Sequence, residues 1–174
     1  MDLRYPIGKF EFTGECSAAQ REQWISEIEA LPVRVAAAVA GLTEEQLNLP
    51  YRDGGWTVRQ VVHHLADSHM NSLTRFKLAL TEDEPTIKPY YEDRWAELED
   101  SLSLDIEVSI TMLKSLHKRW VVLLKAMKEA DFERSFIHPE SKKTIRLDYN
   151  VGLYAWHGKH HVAHITSLRE RLSL

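Results

Sequence analysis

One cysteine in 174 residues removes two chemistries at once. Cys16 has no partner for an internal disulfide, and a thiolate zinc site needs more than one sulfur. Basic runs are also missing. The chain has 22 Lys and Arg against 26 Asp and Glu, interspersed, for a net charge of −4. That pattern lacks the cationic stripe by which nucleic acid or an anionic membrane is bound. No apolar run approaches the roughly 20 residues of a membrane-spanning helix. The opening Met-Asp-Leu-Arg-Tyr-Pro-Ile-Gly lacks a signal peptide's apolar core. No Gly-x-Ser-x-Gly elbow is present to present a serine nucleophile. These absences predict a cytoplasmic protein that binds neither nucleic acid nor membrane, and any metal it holds is bound through nitrogen and oxygen.

With 44% hydrophobic residues, the chain has enough apolar side chains for one sizeable core, so residues 1–174 read as a single domain. Residues 1–16 are irregular, with aromatics that can drape over the core. A first helix is expected from Ser17 to about Val39, where Trp24, Ile28, Leu31, Val35 and Val39 form the apolar stripe. Pro32 inside it predicts a kink or a shortened first half, and Gly41 a stop. A loop runs through Pro50 to Gly55. Thr57 then caps a second helix that continues to about Leu80, with Trp56 ahead of the cap. Residues 81–102, with Pro85 and Pro89, form a long crossover or flap holding a short helical piece near Tyr91–Leu98. The third helix spans about Leu104 to Ala130. Residues 132–147 read as a small hairpin turning at Pro139–Lys142. The fourth helix runs from about Asp148, a candidate cap, to Leu172. Four amphipathic helices sharing one core make an all-α four-helix bundle, a fold that builds metal sites from side chains on facing helices.

Four of the nine histidines fall between positions 157 and 164, inside the last helix. Histidines four apart project from one face, one turn apart, as two ligands of one ion require. Two pairs qualify, His157 with His161 and His160 with His164. Leu147, Val151, Tyr154, Gly158, His161, Ile165, Leu168 and Leu172 form the buried stripe of this helix. His161 lies on it, and His157 lies within about 80° of its centre. His160 and His164 point roughly 140° and 100° away, toward flank or solvent. The wheel therefore selects His157 and His161, and Gly158 leaves space beside them. On the second helix the apolar face is centred on His69. His63 and His64 lie roughly 130° off it on opposite sides, so periodicity does not select His64.

The segment Gly-Gly-Trp-Thr-Val-Arg-Gln-Val-Val-His-His-Leu-Ala-Asp-Ser-His at 54–69 and Trp-His-Gly-Lys-His-His-Val-Ala-His-Ile at 156–165 carry a resemblance. With the opening Tyr-Pro-Ile-Gly and Tyr-Arg-Asp-Gly-Gly-Trp, the chain resembles, over essentially its full length, the YfiT-like metal-dependent hydrolases. These belong to a broader DinB/YfiT-like superfamily of metal-binding bundles that includes bacterial thiol S-transferases. The resemblance implies His64, the histidine directly before Leu-Ala, as the first ligand. It also implies His157 and His161 as the other two, and a homodimer. Under it, His69 and His117 become core residues or supports for the ligands. His160 and His164 orient ligands or line the pocket, His63 sits on a solvated flank, and His138 is exposed in the hairpin turn. Ser68, Asn71 and Arg75 recur on the His64 side of the second helix, and Arg75 and Asn71 are candidates for the pocket.

Three neutral imidazoles leave a divalent ion with open positions, as in catalytic sites. One ion per chain is expected, zinc first, with nickel, manganese or iron as alternatives. The leading expectation is a hydrolase that activates water for attack on a small-molecule substrate. The alternatives are a bacillithiol-type S-transferase activating a low-molecular-weight thiol, and a non-catalytic metal-binding stress-response bundle. Cys16 has no basic neighbour to make it a nucleophile, so the metal carries the chemistry.

Overall fold

The computed structural model describes residues 2–174. Residues 2–16 form an irregular strap. Phe10 and Phe12 pack on Trp24 and Tyr149, with ring centroids 5.3 to 6.5 Å apart. Helix α1 (Ala18–Val39) starts where Ser17 Oγ accepts from the Gln20 N–H at 3.2 Å. The helix runs through Pro32 as one element and is not shortened there. Proline has no N–H, so the helical acceptor four residues back, the Ile28 carbonyl, is left free. A short helix, α2 (Glu44–Leu47), follows between Gly41 and the expected loop at Pro50, where no element was anticipated. Helix α3 (Val58–Thr81) begins at Thr57 with the anticipated cap, a reciprocal box with Gln60.

The crossover carries two short helices, α4 (Glu92–Trp95) and α5 (Glu99–Ser103), in place of one. Helix α6 (Ile106–Ala126) is capped by Asp105. It ends before the expected Ala130, and the chain re-forms as α7 (Glu129–Phe132). Strands β1 (Ser135–His138) and β2 (Lys143–Arg146) make the hairpin, paired antiparallel from Ser135↔Arg146 to His138↔Lys143. The last helix, α8 (Leu147–Leu172), has Arg146 at its N-cap position, so Asp148 is not the cap. Asp148 lies in the first turn, where it pairs with Arg146 at 2.7 Å and accepts the Tyr149 N–H.

The chain is mostly helical, and α1, α3, α6 and α8 form the bundle. Helices α1 and α3 each pack on both α6 and α8, so α1 faces α3 across a diagonal. Gly158 brings α8 against α1: a Cβ there would lie 2.6 Å from a Leu31 methyl. The space expected at Gly158 is therefore filled by Leu31. The crossover covers the outer side of α3. Arg59 is buried and donates to the Leu104 carbonyl and to Asn48, and it pairs with Glu44, which fastens α2 and the crossover to that helix. Consequently every residue from Val58 to Ala66 is buried. Among the described residues, no helix is long and apolar enough to cross a membrane.

Candidate metal centre

His64 on α3 and His157 and His161 on α8 each offer one ring nitrogen, and these nitrogens all lie within 4.8 Å of one another. The Nε2 atoms of His64 and His157 are 3.2 Å apart. Two imidazoles on one tetrahedral zinc place their nitrogens about 3.3 Å apart, given Zn–N bonds near 2.05 Å. Burial, reinforced by neighbouring imidazoles, lowers all three pKa values, that of His64 to about 3. The rings are therefore neutral at pH 7, as metal ligands need to be. Nδ1 of His161 is buried with no hydrogen-bond partner. Donor type, spacing and protonation state all fit a divalent ion.

The fourth wall of this arrangement lies deeper in the bundle. His117 on α6 places Nδ1 2.6 Å from the Ile28 carbonyl, the group that Pro32 leaves free in α1. A carbonyl only accepts, so Nδ1 of His117 carries the proton and donates. Burial holds the His117 pKa near 4, so the ring is neutral and its Nε2 is a bare acceptor. That Nε2 is 3.0 Å from Nδ1 of His69, which therefore donates. Burial also lowers the His69 pKa well below its ordinary value, so His69 Nε2 accepts in turn from Nδ1 of His157, 3.2 Å away. The last link leaves the lone pair of His157 Nε2 facing His64. One proline on α1 thus selects the tautomer of a candidate ligand on α8, through α6 and α3.

The three nitrogens border a cavity of about 640 Å³ that Trp56, Tyr51, Arg52, Arg4 and Tyr5 also line. Trp56 packs on His64 with ring centroids 4.6 Å apart. His160 and His164 are buried walls of this cavity, contrary to the flank or solvent positions expected from the wheel. The strap covers them: His160 lies against Trp156 and Tyr5, and Nε2 of His164 meets the Arg4 carbonyl at 3.2 Å. His164 also stacks on Tyr51 at 3.9 Å. His63 is likewise buried, not solvated, and contacts Ser109 Oγ at 2.7 Å and the Leu104 carbonyl at 3.1 Å. His69 and His117 are fully enclosed in the core.

Arg75 lines a second cavity that touches His157, and His138, expected to be exposed, is half-buried in the same lining. Asn71 lines neither of these cavities. Its amide donates to the Asp67 carbonyl one turn back at 2.9 Å. Sequence reasoning missed Tyr90 and Tyr154 as lining residues of the second cavity. Tyr90 sits in the crossover, where no periodicity reports which way a side chain faces, and Tyr154 reads as ordinary core on its stripe.

The profile of the DinB superfamily matches residues 27–165. A protein from Bacillus mycoides (strain KBAB4), named "putative metal-dependent hydrolase", is 60% identical over 99% of this chain and 98% of its own length. A relative with the same descriptive name, from Bacillus thuringiensis subsp. konkukian (strain 97-27), is 58% identical over the same shares. Among solved structures, YfiT from Bacillus subtilis matches with a TM-score of 0.97 and 50% identity, covering 99% of both chains. It is described as "a probable metal-dependent hydrolase with an unusual four-helix bundle topology". By profile, length and architecture, this chain belongs to the DinB superfamily, in its YfiT-like branch.

Proposed function

We propose that this protein is a metal-dependent hydrolase of a small molecule, with His64, His157 and His161 holding one divalent ion, zinc by preference. The convergence of three neutral imidazole nitrogens within 4.8 Å on the wall of an open cavity carries this reading. Three protein ligands leave positions for substrate and water, the pattern of catalytic rather than structural sites. When bound, such an ion supplies Lewis acidity, which brings the pKa of water toward neutrality and polarises a carbonyl or similar group. The remaining work falls to the chain. His69 holds the His157 ring in its ligating tautomer, and Trp56 shields one side of His64. Glu92 and Asp93 are the carboxylates lining this cavity. Burial, and then the charge of Asp93, raises the Glu92 pKa above its ordinary value. The names of the relatives support the same class of activity.

The test is to strip the purified protein and reload it with zinc, nickel, manganese or iron in turn, each of which accepts imidazole ligands. Ester and amide panels are then assayed, each with and without an added small thiol. Hydrolysis that needs the ion and ignores the thiol supports the proposal. Turnover proportional to thiol would make the protein an S-transferase instead, and turnover that survives thorough chelation would overturn the metal reading.

A further inference from the structure

Buried polar atoms in folded proteins nearly always find a partner, so clusters of orphans point to a missing ligand. With Glu27 Oε2 taken by Lys159 Nζ at 2.8 Å, eight buried side-chain nitrogen and oxygen atoms lack one among the described residues, and seven belong to residues lining two cavities that meet at His157. Four of the seven lie in the metal cavity. The other three, Nε of Arg75, the hydroxyl of Tyr90 and Nδ1 of His138, line the second chamber, of about 450 Å³. They come from three separate elements, α3, the crossover and β1. Pairing of residues 85–87 with β1, through Ile137 N–H to the Pro85 carbonyl and Ile87 N–H to the Ile137 carbonyl, holds the latter two side by side.

We propose that this chamber binds a carboxylate group of the substrate, with Arg75 as its ion-pair partner and Tyr90 and His138 as hydrogen-bond partners. The inference rests on the hydrolase reading for its reacting end: the carboxylate sits beyond His157 while the scissile group lies at the three histidines. A guanidinium donates and never accepts, and Arg75 has neither an ion pair nor a hydrogen bond within the described residues. A partly buried cation without an acceptor is unfavourable, and a planar carboxylate meets its fork in two parallel bonds. Burial raises the Tyr90 phenol above its ordinary range, against a smaller lowering by the nearby Ser68 hydroxyl, which is shared with Tyr154 at 3.3 Å, so the Tyr90 hydroxyl remains a donor. Packing on Trp95, centroids 4.7 Å apart, keeps that ring in place.

The charge of the lining narrows the ligand. Arg75 and Arg94 are opposed by Glu92, Asp93 and Glu140, so the chamber is not cationic overall. A dianionic phosphate gains little there, whereas a monoanion that fits the local donors is accepted. Tyr91 and Tyr154, with Leu153, add apolar surface suited to the body of such a molecule.

Benzoate is a suitable probe, with benzamide as its uncharged counterpart, titrated into the zinc-loaded full-length protein. Binding is followed by the Arg75 Nε–H and His138 ring nitrogen resonances. Benzoate is expected to bind in the millimolar range or tighter and to shift both sets of signals, with benzamide at least about tenfold weaker. Arg75→Gln is expected to weaken benzoate at least about tenfold, and Tyr90→Phe by about three- to tenfold, with zinc content unchanged in both. Tyr90→Phe keeps the test open if Arg75→Gln fails to fold. Equal binding of the amide, no saturable binding of benzoate, or benzoate binding indifferent to both substitutions and lost with zinc would each overturn the proposal. If the protein takes up no zinc but benzoate still binds through Arg75, the chamber stands and the hydrolase reading falls.

Discussion

Two groups of histidines lie next to each other in this bundle and are wired differently. His69 and His117 have both ring nitrogens engaged, in a line that begins at the Ile28 carbonyl and ends on His157. His160, His161 and His164 each keep one buried nitrogen without a partner, and all three border a cavity. Burial lowers the pKa in both groups, so depth and protonation state do not separate them. Hydrogen-bond satisfaction does. A fully bonded imidazole in a core is a structural part, whereas an idle nitrogen at a cavity wall is available to an ion or a substrate.

The largest expected effect comes from cutting the three candidate ligands. His157→Ala or His161→Ala is expected to abolish metal binding, against near-stoichiometric metal in the parent by elemental analysis. His64→Ala is expected to do the same while circular dichroism shows the bundle intact. Metal retained in all three variants would mean that these three histidines serve something other than an ion.

Acid has the next largest effect, because both groups resist protonation only while folded. The unfolded imidazole takes its proton near pH 6.5, whereas His117 in the folded protein waits until about 4. Between those values the unfolded chain holds more protons, so stability falls as pH falls. His117 alone accounts for about 3 kcal/mol of that loss. His64, His69, His157 and His161 add to it with the same sign. Asp67 acts oppositely: burial, then Asp100, raises its carboxyl to about 6, and its contribution is lost as pH rises through that value. The histidines outnumber it. Denaturant melts of metal-free protein are expected to show constant stability above pH 6.5 and a steep decline from there to pH 4. A flat profile over that window would refute the neutral-histidine account.

Cutting the bonded group is expected to cost stability first and metal second. His117→Leu keeps an apolar side chain in the core but leaves the Ile28 carbonyl and the His69 Nδ1–H without partners, a loss of roughly 2 to 4 kcal/mol. The three candidate ligands remain, with the tautomer of His157 no longer fixed, and metal is expected to bind about 10- to 100-fold more weakly in a chelator competition. Nitrogen-15 spectra of the parent should show His69, His117 and His157 all protonated at Nδ1. If any of the three is the Nε2–H form, the line from Ile28 is broken.

The four long helices, the hairpin and the inward pair His157 and His161 were legible because each depends on a periodic pattern or local turn chemistry. Periodicity did not place His64, which the resemblance alone implied, and the reason is physical. A helical wheel assumes one buried face, but α3 packs on α6 and α8 and is covered outside by the crossover, so His63, His64 and His69 are all buried. The wheel, though not the resemblance that put them at the pocket, misplaced His160 and His164 for a similar cause, since the strap from Arg4 to Gly8 covers a face that the wheel assigns to solvent. The second chamber had no periodic signal at all. It forms where the crossover and the hairpin turn meet α3 and α8, and those irregular segments acquire their direction only from tertiary contacts.

The smallest expected effect belongs to the one thiol. Cys16 lies just ahead of α1 and lines neither chamber of the proposed site. Its Sγ contacts the Ser17 carbonyl at 3.4 Å. A lowered pKa would be needed to make it a nucleophile at neutral pH, and the shift runs the other way. Burial raises it; Arg21 is a basic neighbour that the sequence did not lead us to expect, but its lowering charge and hydrogen bond do not reverse the rise, to which Asp148 and Glu129 add. A protonated thiol outside the cavity has no route to a substrate at the three histidines. Cys16→Ser is therefore expected to leave turnover within a few-fold of the parent, with metal content unchanged, in the same assay that a chelator silences. Activity lost in Cys16→Ser but kept through chelation would transfer the chemistry from the imidazoles to the sulfur, and with it the distinction between bonded and idle histidines.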